Sequence, residues 1–103
     1  MSEKRWKAQE RRVARLLGGK RNHTKGSAAP DVQSTWASIE VKDRKSLPQW
    51  LYLAIAQARG NATRRQLPLA VLTTPSTTQV LVVMDMRDFT AWFGDLKKEV
   101  DNG

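Results

Sequence analysis

The sequence has no cysteine, a single histidine, no long apolar run, and ten acids against 18 bases. Without cysteine there are no disulfides and no thiolate metal sites. With His23 alone, catalytic or metal sites built from several histidines lack parts. No stretch approaches the ~20 apolar residues that span a bilayer. The opening MSEKRWK has no apolar segment of the kind a signal peptide carries. No glycine-rich phosphate loop follows a strand; the GGK at 18–20 ends a helical pattern instead. Repeats, linkers and low-complexity segments are also missing. For 103 residues the expectation is one domain over 1–103, in the cytoplasm.

What is present is positive charge, and it is uneven. The net charge is +8. Residues 1–25 hold nine of the 18 bases (Lys4, Arg5, Lys7, Arg11, Arg12, Arg15, Lys20, Arg21, Lys25) and two of the ten acids. The remaining 78 residues are close to balanced. Solubility needs no such one-sided distribution, so the patch points to a polyanionic partner, nucleic acid before others.

Residues 2–17 read as a helix, with Ser2 as N-cap and Gly18-Gly19 as the stop. At 100° per residue Trp6, Val13 and Leu17 share one face, and Glu10 falls on that same face. Lys4, Lys7, Arg11 and Arg15 form a stripe roughly opposite. A carboxylate on the inner face is costly unless it is paired or metal-bound; a neighbouring arginine or a cation would each serve. A short strand and a loop follow at 20–29, then a hairpin at 30–43. A helix from Pro48 to about Arg59, apolar on most faces, should be largely buried and stopped by Gly60-Asn61. Two strands without alternation, 67–74 and 79–86, imply burial on both faces. A helix at 87–100 closes the chain, its stripe of Phe89, Trp92, Phe93 and Leu96 facing either the sheet or a second subunit. The order α-β-β-β-α-β-β-α predicts an α/β fold around one mixed five-stranded sheet flanked by helices.

The hairpin carries the chemistry. In "APDVQSTWASIEVKDRK", Glu40 and Lys42 are two apart, so a strand projects them from one face. With a loop centred between Thr35 and Trp36, residues whose numbers sum to 71 face each other. Val32 then meets Ile39 and Asp31 meets Glu40, with Cβ atoms ~5 Å apart. Two carboxylates that close repel unless a cation lies between them, and Mg²⁺ takes oxygen ligands at ~2.1 Å. Lys42, one step along, could stabilise charge on a phosphate during hydrolysis. Thr35-Trp36 is poor chemistry for a type I′ turn; a four-residue loop keeps the register and a three-residue loop would spoil it. Gln57 is a polar residue in the otherwise apolar helix, on the Trp50–Leu53 face, where it could also bridge backbone at the helix edge.

"PD" at Pro30-Asp31 followed by "IEVK" at 39–42 resembles the PD-(D/E)XK nuclease signature. With Glu10 upstream and Gln57 in the next helix, the chain resembles compact Holliday-junction resolvases of phage or archaeal type. The resemblance implies a restriction-endonuclease-like core and a Mg²⁺-dependent endonuclease, with Mn²⁺ able to substitute. It implies metal ligands Asp31, Glu40 and the Val41 carbonyl, with Glu10 as an accessory carboxylate near the metal. Lys42 would be the catalytic lysine and Gln57 a supporting residue. DNA contacts would come from Lys4, Lys7, Arg11, Arg15, Lys20 and from among Arg21, His23, Lys25 and Ser27. The substrate would be a four-way junction or other branched DNA, cut by a homodimer in a bacterial, archaeal or phage-infected cell. A nuclease acting on flaps, ends or duplex DNA, or a DNA-binding module without catalysis, stands as the alternative.

Overall fold

The computed structural model describes the backbone of residues 4–22 and 29–102, and the side chains of these residues as far as 94. The chain forms two compact units, Met1–Lys45 with Phe93–Gly103, and Ser46–Trp92. The elements follow the expected order of helices and strands. They are α1 (Arg5–Leu17), β1 (Lys20–Arg21), β2 (Val32–Gln33), β3 (Ser38–Ile39), α2 (Gln49–Asn61), β4 (Ala70–Thr74), β5 (Thr77–Val83) and α3 (Met86–Asn102). Among the described residues the expected single mixed five-stranded sheet is not found. The strands form an antiparallel three-stranded sheet, β1-β2-β3, and an antiparallel pair, β4-β5. The protein is α/β in class. No helix among the described residues is long and apolar enough to cross a membrane.

In the first unit, α1 begins at Arg5, three residues after the expected start, with Lys4 still extended and no side-chain cap. The proposed Ser2 cap lies outside the described residues. The stop falls where expected. Gly18 adopts φ 70°, the left-handed conformation that favours glycine, and its N–H bonds to the Ala14 carbonyl. Gly19 serves a different need. A Cβ there would lie 2.8 Å from the Gln33 carbonyl oxygen and 3.1 Å from Val32 Cγ1. The turn therefore lets β1 leave the helix while β2 passes close behind it.

The hairpin has the register counted from the sequence: Val32 pairs with Ile39 and Gln33 with Ser38. It avoids the type I′ problem altogether, since no described residue other than glycine has positive φ. The Ser34 N–H bonds to the Ala37 carbonyl at 3.0 Å. The Ser34 hydroxyl oxygen accepts from the N–H groups of Trp36 (3.4 Å) and Ala37 (3.1 Å). A serine side chain thus closes a loop that backbone geometry alone would not favour. The Trp36 indole N–H donates to the Leu17 carbonyl at 3.1 Å, tying the hairpin tip to the end of α1. Val32 is fully buried, with Ala14 and Leu17 also in the small core.

In the second unit, Pro48 caps α2, and the helix runs on through Gly60 to Asn61. It was expected to be buried, but none of its residues is: Trp50 is 58% exposed and Leu53 60%. Val71, Val80 and Val82 are likewise more than half exposed, against the expectation of strands buried on both faces. A two-stranded sheet is too narrow to cover a helix that is apolar on most sides. Asp85 caps α3, its Oδ1 accepting from the Arg87 N–H at 2.8 Å. The Arg59 guanidinium grips Asp88 through two bonds of 3.3 and 2.6 Å.

Two expectations follow. Gly19→Ala should lower stability by about 1–3 kcal/mol, measured by urea unfolding, because the added methyl meets backbone rather than a pliable side chain. The Asp85 carboxyl is held below its ordinary 3.8, first by the hydrogen bond from the Arg87 side chain and then by the Arg87 N–H. A lowered carboxyl pKa contributes stability above the unfolded value and loses it as pH falls through the folded one. Asp85→Ala removes the cap of α3 and should cost about 1 kcal/mol at neutral pH in the same urea unfolding. The gap from wild type should narrow below about pH 3.9.

Candidate functional site

Three segments of the first unit meet at one cavity of about 370 Å³. Trp6 and Glu10 line it from α1. Asp31 comes from the residue before β2. Val41, Lys42, Asp43 and Arg44 come from the segment after β3.

Glu10 is buried on the inner face of α1, with 6% of its surface exposed. Its Oε1 accepts from Arg21 Nε at 2.9 Å, and both side chains are nearly closed off from solvent, at 7% and 11%. The choice left open by the sequence, an arginine or a cation, is thus answered in this structure by an arginine. The geometry has a simple origin. From Glu10 the helix climbs seven residues to Leu17, about 10 Å. A strand covers that length in about three residues. A chain that doubles back at Gly18-Gly19 therefore returns to the level of Glu10 near Arg21. Arg21 also lies over Trp6, with Cζ 5.5 Å from the ring centroid. Within the unit it therefore ties β1 to two residues of α1.

Asp31 and the third strand are joined by a side chain. Asp31 Oδ2 accepts from the Val41 N–H at 2.8 Å, while the Asp31 carbonyl accepts from the Asn22 N–H at 2.8 Å. The ladder itself ends at Ile39, so the carboxylate takes over where backbone pairing stops. Asp43, which the sequence reading passed over, also lines the cavity, and its Oδ2 accepts from Arg5 Nε at 2.7 Å. That bond raises the Arg5 pKa further above its already high ordinary value. The signal was available in the alternating charges of "EVKDRK", where an acid adjoins the proposed lysine.

The other proposed residues are distributed as follows. Lys42 is at the cavity, with an exposed side chain; Glu40 is exposed and does not line it. Glu40 and Lys42 were expected to project together from a strand, but the strand ends before both. Gln57 is exposed on α2, in the second unit, rather than in a buried helix. Lys4, Arg11, Arg15 and Lys20 are exposed, and Lys7 is half-buried with its Nζ 5.4 Å from the Trp6 ring centroid. His23, Lys25 and Ser27 lie outside the described residues. Among the described residues no three His, Asp or Glu side chains come together closely enough to hold a metal ion. The donors at the cavity are hard oxygens, which suit Mg²⁺, but as one or two carboxylates beside phosphate and water rather than as a preformed cage.

Family models, curated proteins and solved structures were compared with the chain, and none matches it.

The buried pair sets an expectation for stability. Arg21→Ala strands the Glu10 carboxylate and should cost about 3–5 kcal/mol in urea unfolding. Replacing both partners, Glu10→Leu with Arg21→Met, should recover most of that loss. An equal loss in the single and double variants would show that packing around Trp6, and not charge, sets the cost.

Proposed function

We propose that the protein is a Mg²⁺-dependent endonuclease of the PD-(D/E)XK type that cuts branched DNA, four-way junctions foremost, as a homodimer in the cytoplasm. The observation that carries the reading is the convergence of Asp31, Glu10, the Val41 backbone and Lys42 on one cavity, from segments far apart in sequence. The fit between the counted register and the hairpin supports it as well, because that register is what sets Asp31 across from the E-x-K segment. The finer fold belongs to the same proposal: a restriction-endonuclease-like core.

Asp31 is the principal ligand in this reading. Oδ2 is held by the Val41 amide, which orients the carboxylate and leaves Oδ1 for coordination. Glu40 and the Val41 carbonyl complete the protein's share, with Glu40 turning inward from its exposed position. When bound, Mg²⁺ supplies an activated water and offsets charge on the phosphate. Lys42 places an ammonium beside the phosphate oxygens, where charge grows as the diester is attacked. Glu10 shapes the cavity electrostatically through its bond with Arg21. Lys4, Lys7, Arg11, Arg15 and Lys20 hold the DNA backbone. The exposed Trp50, Leu53, Val71 and Val82 offer apolar surface for the second copy.

Two observations favour a second reading, a DNA-binding module without catalysis. Glu10 already has its cation in Arg21, and no three-acid group forms among the described residues.

A cleavage assay separates the two. Labelled four-way junction, flap, linear duplex and single strand are each mixed with the protein in Mg²⁺ or in EDTA. The expected result is paired symmetric nicks in the junction, in Mg²⁺ only. Asp31→Ala and Glu40→Ala should abolish cutting, and Lys42→Ala should slow it by about 10²–10³-fold, each with junction binding largely kept. Binding without metal-dependent cutting of any substrate would sink the nuclease reading. Binding should also weaken steeply with salt, and Lys4→Ala with Lys20→Ala should each reduce the log–log slope by about one.

A further inference from the structure

Trp6 is the largest side chain at the cavity, and it is 45% exposed. It sits in the first turn of α1, where the apolar pattern of the helix would have it buried. Two cations lie over its ring. Arg21 Cζ lies 5.5 Å from the centroid and Lys7 Nζ 5.4 Å. The two differ in constraint. Arg21 is held in place by the buried Glu10 carboxylate. Lys7 reaches the ring at the end of a flexible stem. Lys42 and Arg44 line the same space beside Glu10, Asp31 and Asp43, of which Glu10 and Asp43 are already paired with arginines.

An aromatic ring kept partly open among cations suits a nucleobase better than an apolar ligand. Base–aromatic stacking needs only a free π-face, and the neighbouring ammonium groups take the phosphates on either side. Bases inside a duplex already have both faces covered. Only a base that has left the stack can use the ring. The cavity, about 370 Å³, is of a size that takes one small ligand.

We propose that Trp6 is a stacking platform for one unpaired base, with Lys7 moving from the ring to an adjacent phosphate, so that the site selects DNA carrying an unpaired nucleotide. The proposal rests on the nucleic-acid part of the function proposed above and not on cutting. It names the feature of the substrate that brings a strand to this cavity, whether at a branch, a flap or a single-stranded stretch.

The test is binding by the full chain in EDTA, where catalysis plays no part. Fluorescence anisotropy compares a 12-nucleotide oligo-dT strand, a blunt 20-base-pair duplex, and the same duplex with one extra unpaired base. Trp6→Ala should weaken binding to the single strand and to the bulged duplex by about tenfold or more. Blunt-duplex binding should change less than about twofold, and Trp6→Phe should keep most of the preference. A wild-type measurement guards against a folding defect in the variant. 2-Aminopurine at the unpaired position should lose emission on binding, while the same base in a paired position should not. Equal weakening on all three DNAs, or no 2-aminopurine quenching, overturns the platform and leaves the endonuclease reading standing. Absence of binding to any of the DNAs overturns both. Selective binding without cutting in Mg²⁺ upholds the platform and overturns only the nuclease.

Discussion

The first unit depends on the buried bond between Glu10 and Arg21. A carboxylate on the inner face of a helix must be compensated or the helix will not dock that face. The compensating guanidinium comes from β1, so the condition that lets α1 bury its inner face also requires the chain to reverse sharply and return alongside it. Gly18 and Gly19 make that reversal possible, one through its left-handed backbone and the other through its lack of a side chain against Gln33 and Val32. Once β1 is fixed, β2 pairs with it at Lys20–Gln33 and Arg21–Val32. β3 then follows through the serine-closed loop. The position of Asp31 is the last consequence of this sequence of constraints.

The local features of this arrangement were legible before the structure. The element order follows from apolar periodicity and from Gly and Pro positions, and the hairpin register follows from parity and the centre of its loop. The inward position of Glu10 follows from 100° steps. What was not legible lies at longer range. "LPLAVLTT" and "QVLVVMDM" lack alternation, which normally means strands covered on both faces. Here they form a two-stranded pair with exposed valines, because a hydrophobic run states the need for cover and not its source. The same applies to α2. Its apolar surround was read as burial, yet Trp50, Tyr52 and Leu53 remain more than half exposed.

The site shows a similar division. Parity placed Glu40 with Lys42, which holds only while the chain stays in a strand, and β3 ends at Ile39. Beyond that point side chains answer to individual bonds. The Val41 amide goes to Asp31, and Asp43 goes to Arg5. Asp43 was missed because the motif that drew attention to Glu40 and Lys42 gave no reason to look one residue further. Trp6 was read as an apolar face residue, and its exposure among cations is visible only once Arg21 has been brought to it by the reversal at Gly18-Gly19.

The pairing of charges at the cavity separates its residues into two kinds. Glu10 is balanced by Arg21 and Asp43 by Arg5. Asp31 is held by an amide, which orients a carboxylate but carries no formal charge to offset it. Among the described residues, then, Asp31 is the cavity acid whose charge has no cationic partner, and Lys42 and Arg44 line the same space without a carboxylate of their own. A phosphate entering there meets two cations while an adjoining carboxylate calls for a third. In the proposed function, Asp31 would hold a divalent cation there, and the ion would offset charge on the phosphate. That ion would be recruited jointly by protein and substrate, in keeping with a site that has no three-acid cage of its own. In the proposed endonuclease, metal affinity in the absence of DNA should accordingly be weak, and metal and DNA should strengthen one another's binding.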